Sequence, residues 1–326
     1  HTNMILKNFL AIGAVLALMS CQNTMNKTEQ AAQEATQESS AQNFEISLAQ
    51  WSIHKQIWDG SIDPMDFASV AKDLGYTGLE YVNHLYVGDM VNYPMKEQGL
   101  DAVLAELKRR SDSLGMTNVL IMVDGEGDLA LDDETETAQA VENHKKWVDA
   151  AAFLGCHAIR VNLFGASDPQ AWVANSVRSL KALSSYAAEK NISILVENHG
   201  GLSSDAQLLS KVMERVGMDN CGTLVDFGNF CLRRENDERW GAPCVEEYDR
   251  YQGIEELMAY AHGVSAKSYA FDAEGNETTM DFPRILNIVR DAGFSGFIGV
   301  EFEGPDADPF PGMEATKALI ETVLIN

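Results

Sequence analysis

Apolar and polar residues follow two alternating periods along this chain. Short runs that are β-branched or continuously apolar occur at 45–50, 78–81, 118–124, 158–162, 193–198, 222–226, 263–269 and 297–302, and each reads as a buried strand. Between them apolar residues recur at helical spacing. This predicts helices over 64–74, 100–114, 134–154, 169–189, 205–216, 246–261, 282–292 and 312–324. Punctuation agrees with the periodicity. Leu74-Gly75, Leu114-Gly115, Leu154-Gly155 and Ala292-Gly293 each put a glycine where a helix must end in a left-handed turn. Asp63-Pro64 and Asp168-Pro169 put an acceptor before a first-turn proline.

Eight strand–helix units from residue 44 onward predict an α/β fold, a single (β/α)8 TIM barrel over 44–326. An open doubly wound sheet is the alternative, but no glycine-rich phosphate loop follows the first strand. The stretch from Phe227 to Glu247 exceeds an ordinary strand-to-helix loop and is expected to form a lid or rim over the barrel mouth.

The first 43 residues break the pattern. Lys7, the apolar run from Phe9 to Met19 and the small-residue end Leu18-Met19-Ser20-Cys21 read as a secretory signal over 1–21. The apolar run is shorter than the roughly 20 residues a membrane span needs. Leu-Met-Ser-Cys resembles a bacterial lipobox. It implies an exported lipoprotein, periplasmic or associated with the outer membrane and held to lipid only through Cys21. Residues 22–43 are polar, lack apolar periodicity and are expected to be a disordered tether.

Composition narrows the partners. A net charge of −25 argues against nucleic acid, whose phosphates need clustered Lys and Arg. The other four cysteines show no zinc spacing. Cys156 and Cys221 sit at strand starts as small buried residues, whereas Cys231 and Cys244 flank the long loop and can close it as a disulfide in an oxidising compartment.

In a barrel of this kind the carboxyl ends of the strands converge on one site, and four strands end in charged residues there. They are Glu197 in LVENHGG, Asp226 in LVDFGNF, Lys267 in GVSAKSYAFD and Glu301 in GFIGVEFEG. His199 faces the same side as Glu197, Ser265 the same side as Lys267, and Glu303 the same side as Glu301. Lys267 is expected to pair with a carboxylate and to polarise a carbonyl, or to pass protons if its pKa falls. Further candidates for substrate contact are His54 among the aromatics of WSIHKQIW, Glu80 and Asn83 after strand two, Asp124 after strand three, and Arg160 with Asn162 on strand four. His84, His144 and His157 read as surface or helix residues.

From residue 44 onward these blocks resemble the xylose-isomerase-like TIM-barrel superfamily of sugar isomerases and epimerases. The resemblance implies one divalent metal held by a Glu of strand five, an Asp of strand six, a His of strand seven and a Glu of strand eight. Glu197, Asp226 and Glu301 match three of these positions. The fourth departs: Ser265 stands where the pattern has a His, and Asn229 where some relatives carry another. The metal set then rests on the three carboxylates, with His199 or His262 the available imidazole, and an oxygen-rich site favours Mn²⁺ or Mg²⁺ over Zn²⁺.

The resemblance implies proton abstraction next to a carbonyl, giving an enediolate. Glu197 and Glu301 are then base and acid, Lys267 polarises the carbonyl, and His54, Glu80, Arg160, Asn162, His199 and Asn229 are the contacts to substrate. Export and the missing phosphate loop favour a free sugar, keto-sugar or glycoside over a phosphosugar, with no nucleotide cofactor. Two rivals stand beside the isomerase or epimerase. One is a 3-keto-glycoside lyase working by β-elimination, the other a sugar-binding lipoprotein without chemistry.

Overall fold

The computed structural model describes residues 42–87, 94–305 and 307–325. The expected signal segment, the anchor at Cys21 and nearly all of the tether lie outside these residues. Eight parallel strands close into a barrel, β1 (Phe44–Ala49), β2 (Gly78–Val82), β3 (Thr117–Met122), β4 (Ala158–Val161), β5 (Ser193–Glu197), β6 (Cys221–Asp226), β9 (Ala261–Ser268) and β10 (Gly296–Phe302). Around the barrel they run in chain order, with β10 closing on β1. Strands β7 (Cys231–Arg234) and β8 (Cys244–Glu247) form a separate antiparallel hairpin in the loop between β6 and the helix after it. Each predicted strand is present, with ends displaced by two residues at most.

The larger helices are α4 (Leu100–Leu114), α5 (Glu134–Leu154), α6 (Pro169–Ala188), α7 (Ala206–Val216), α8 (Arg250–Met258), α9 (Phe282–Asp291) and α10 (Phe310–Ile320). Before them come α1 (His54–Trp58), α2 (Phe67–Asp73) and α3 (Pro94–Gln98), of which α1 and α3 are too short for periodicity to reveal. Aspartates cap several first turns: Asp133 accepts from Thr135 and Glu136 amides, Asp168 from Gln170 and Ala171, Asp205 from Leu208, and Asp281 from Arg284. Part of the acidity is therefore structural, because each cap satisfies amides that the helix itself leaves unpaired. The helix expected at 246–261 is corrected to Arg250–Met258, because Cys244–Glu247 pairs as β8. Among the described residues no helix is long and apolar enough to cross a membrane.

Register decides which side chains enter the barrel. Asp226 pairs with Ser265, Ser265 with Gly299 and Lys267 with Glu301, and partners in a parallel sheet share a face. Ser265, Lys267, Asp226 and Glu301 are thus delivered together to the interior, near its carboxyl end. Lower down, Ala49 pairs with Glu80 and Glu80 with Leu120. Glu80 therefore lies inside the barrel rather than after its strand, because β2 continues to Val82. A Cβ at position 299 would come within 2.5 Å of both Glu80 carboxylate oxygens, so Gly299 leaves the space this buried acid fills.

Candidate active site

Glu197, Asp226 and Glu301 are buried, and one carboxylate oxygen from each lies within 4.8 Å of the others. Two buried cations interleave with them. Arg160 Nε stands 2.8 Å from Glu197 Oε2, and Arg160 Nη1 donates to Asp124 Oδ1 at 2.7 Å. Lys267 Nζ lies 3.3 Å from Glu301, 3.6 Å from Glu303 and 3.7 Å from Asp226. Five carboxylates thus face two cations, and burial raises the cost of that excess negative charge. Burial pushes Glu301 up to about 8 although Lys267 opposes it, and it raises Glu197 and Asp226 in the same direction. Glu303 moves the other way: burial raises it, but the neighbouring Lys267 leads the interactions that bring it below the ordinary value.

Ser265 occupies the place of the missing imidazole. Its hydroxyl lies 2.8 Å from Asp226 Oδ2 and 3.1 Å from Glu301 Oε2 but has one proton to give. The shorter contact takes that proton. The longer one is then made by a protonated Glu301, in keeping with its raised pKa. Asp226 is fixed further through Oδ1, which accepts from the Gly228 and Asn229 amides at 2.8 Å each. Asn229 also donates to Glu197 Oε1 at 3.1 Å.

These donors fit a hard divalent cation. Three buried carboxylates converge, the local charge is negative, and Glu197 Oε2 has no hydrogen-bond donor, since the angle of its ion pair to Arg160 is poor. No nitrogen is in the convergent set. His199 Nδ1 is turned to Asn162 Oδ1 at 2.8 Å and stays 3.8 Å from Glu197. Asn162 Nδ2 donates to Asp124, which turns its carbonyl to His199 and requires the imidazole proton on Nδ1. Burial, then Arg160 and Lys267, hold His199 down to about 3, so it is neutral with its lone pair on Nε2. His262 lies instead by the smaller cavity that Glu80 lines.

Several expectations change. Lys267 does not titrate near neutrality: burial works against its charge, but Asp226, Glu301 and Glu303 hold its pKa well above the ordinary value. It is a fixed positive charge rather than a proton carrier. His54 is not in the cavity lining; its ring stacks on Trp51 at 4.1 Å, and Trp51 is what faces the cavity. Asn83 holds the loop after β3, donating to Asp124 O and accepting from its amide. His84 and His144 read as surface and helix residues; His84 is exposed, His144 sits within α5, and both border the cavity.

Glu80 does not line the main cavity either; it lines a smaller one of about 260 Å³ with Phe297 and His262. Its Oε1 accepts from Ser47 at 2.6 Å, and burial pushes it up to about 7. A carboxyl raised from 4.5 to about 7 stabilises the fold fully below pH 4.5 and loses that contribution as pH rises to 7, a swing of roughly 3 kcal/mol. Glu80→Gln should therefore gain about that much on the wild type between pH 4.5 and pH 8 in urea melts. An equal difference between the two proteins at both pH values would show that Glu80 ionises normally.

The main cavity, about 500 Å³, runs from Lys267 and Glu301 up to Trp51, Phe164 and Trp240. Phe164 and Trp240 gave no signal in the sequence, and Trp51 was legible only as one of the aromatics of WSIHKQIW.

A family model described as xylose isomerase-like TIM barrel matches residues 68–323. No curated protein matches the chain. Among solved structures, a sugar phosphate isomerase/epimerase from Parabacteroides distasonis superposes with a TM-score of 0.64 at 15% identity, covering 88% of this chain and 97% of that one. A 3-keto-D-glucoside 4-epimerase from E. coli gives 0.59 at 13% identity, covering 86% and 99%. The IOLI protein with a bound zinc atom gives 0.63 at 12% identity, covering 86% and 100%. At such identities the likeness is one of fold.

Proposed function

Since the chain belongs to the xylose isomerase-like TIM-barrel family, we propose that it is a carbohydrate isomerase or epimerase acting by proton transfer at a carbon next to a carbonyl. The observation that carries this is the pair Glu197 and Glu301, two buried carboxyls with raised pKa on strands three steps apart around the barrel. A raised pKa strengthens a carboxylate as a base and keeps a carboxyl protonated as an acid near neutral pH. Glu197 takes the proton from carbon, with Arg160 beside it, and Glu301 returns one from the other side. Lys267 stays cationic and balances the charge that develops on the substrate oxygen. Asn229 and the Asp124–Asn162–His199 chain hold Glu197 and the imidazole in place.

A divalent cation, Mn²⁺ or Mg²⁺ by the all-oxygen donor set, would be held by Glu197, Asp226 and Glu301. Bound there, it would supply positive charge that stabilises the negative charge developing on the substrate oxygen. The signal-like segment ending at Cys21 supports an exported lipoprotein, and export supports a non-phosphorylated sugar.

The test is hydrogen exchange in D₂O, followed by proton NMR, with D-fructose, D-tagatose and 3-keto-glucosides, and with Mn²⁺ or Mg²⁺ added. Loss of the signal beside the carbonyl, with an epimer or isomer as product, is expected. Release of the aglycone instead would identify the lyase. Sugar binding without exchange in metal-supplemented protein would sink the enzymatic reading. Elemental analysis should find about one Mn or Mg per chain, lost in Glu197→Ala.

A further inference from the structure

The hairpin between β6 and α8 is not needed to close the barrel, yet it reaches over the cavity. A disulfide joins Cys231 to Cys244 across β7 and β8, closing a loop of sequence separation 13. The bond holds the tip, 235–243, as one piece, and the tip carries Arg239 and Trp240. Arg239 pairs with Asp128 through two contacts, of 2.7 and 3.2 Å, and lies 4.4 Å above the Phe164 ring. These contacts tie the hairpin to the loops after β3 and β4.

Trp240 is 48% exposed where it lines the cavity. Its ring meets His199 at 4.8 Å and the edge of Phe164 at 5.4 Å. His199 in turn stands 3.8 Å from Glu197, so Trp240 is separated from the reacting carboxylates by the width of one imidazole. A sugar ring on the floor, against Glu197 and Glu301, therefore has its neighbouring substituent at Trp240. An indole face suits the C–H face of a pyranose, and polar groups line the same cavity. Arg160, Lys267 and Arg239 are each already paired with carboxylates, and Arg234, also in the lining, donates to the Ala242 carbonyl within the hairpin.

We propose that the disulfide-stapled hairpin builds a second sugar subsite, so that the substrate is a glycoside of at least two rings. One ring reacts at the carboxylates while the next stacks on Trp240. This rests on the functional reading above and names its substrate class.

Exchange into 3-keto-glucose is compared with exchange into the 3-keto forms of cellobiose, maltose and trehalose, using the whole protein with Mn²⁺. The wild type is expected to favour at least one disaccharide by about tenfold or more in kcat/KM. Trp240→Ala should lower the disaccharide-to-monosaccharide ratio about tenfold, and Trp240→Phe should keep most of it. Cys231→Ser with Cys244→Ser should raise KM for the disaccharide more than for the monosaccharide. If the wild type exchanges monosaccharide and disaccharides equally and Trp240→Ala leaves the ratio unchanged, the subsite is overturned and the functional reading stands. No exchange into any of these sugars overturns the subsite, and no exchange into D-fructose or D-tagatose as well overturns both.

Discussion

Replacing Glu197 or Glu301 with glutamine is expected to lower kcat by about 10²–10⁴-fold, the range that a positioned acid or base contributes. Glutamine keeps the volume of each side chain, so the cavity keeps its shape. At position 301 it also keeps a donor toward Ser265 Oγ, which the protonated carboxyl now faces at 3.1 Å, but it has no transferable proton. At position 197 it leaves Arg160 paired with Asp124 at 2.7 Å, so the guanidinium is not stranded. The fold should survive both changes, as circular dichroism and urea melts would show, and sugar binding by calorimetry should persist. Either variant retaining more than a tenth of wild-type turnover would remove that residue from the proton transfer.

Lys267→Met should cause the largest loss of stability at the site. The side chain is among the largest that are fully buried, and methionine replaces most of its volume without its charge. Asp226, Glu301 and Glu303 then lose the ammonium that stands within 3.7 Å of each. Breaking a buried ion pair from one side costs about 3–5 kcal/mol, or roughly 6–15 °C in Tm. The loss should grow with pH. Without the lysine the folded-state pKa values of the carboxylates rise further, and a raised pKa removes stability as pH climbs through it. Near pH 6 protons replace part of the missing charge; at pH 9 they do not. Added Mn²⁺ or Mg²⁺ should restore part of the stability if the carboxylates hold a cation. A variant as stable as the wild type at pH 9 without metal would show that Lys267 does not hold these carboxylates together.

The barrel was legible because strand and helix periods are local, and glycine and aspartate mark where each element stops. The stretch after Asp226 was legible only as too long for a loop. Its hairpin depends on pairing Cys231 with Glu247 and Arg234 with Cys244, and such cross-strand partners leave no period in a four-residue strand. Glu80 was misplaced for a related reason: whether it stands at the end of β2 or inside it depends on where the strand stops, and Val82, which completes it, reads equally well as loop. His54 lies stacked on Trp51 instead of in the lining, because an aromatic neighbourhood does not say which ring faces the cavity.

The sequence by itself determined that Glu197, Asp226, Lys267 and Glu301 stand at the carboxyl ends of strands of one barrel, since strand direction and alternation are set residue by residue. Only the tertiary structure decided what each group does there. Register set Ser265 between Asp226 and Glu301, enclosed Lys267 among three carboxylates so that it stays charged, and turned His199 toward Asn162 rather than into the carboxylate cluster. Charge state and ligand geometry depend on distances between residues far apart in the chain and on the water excluded around them, and neither quantity is carried by any local stretch of sequence.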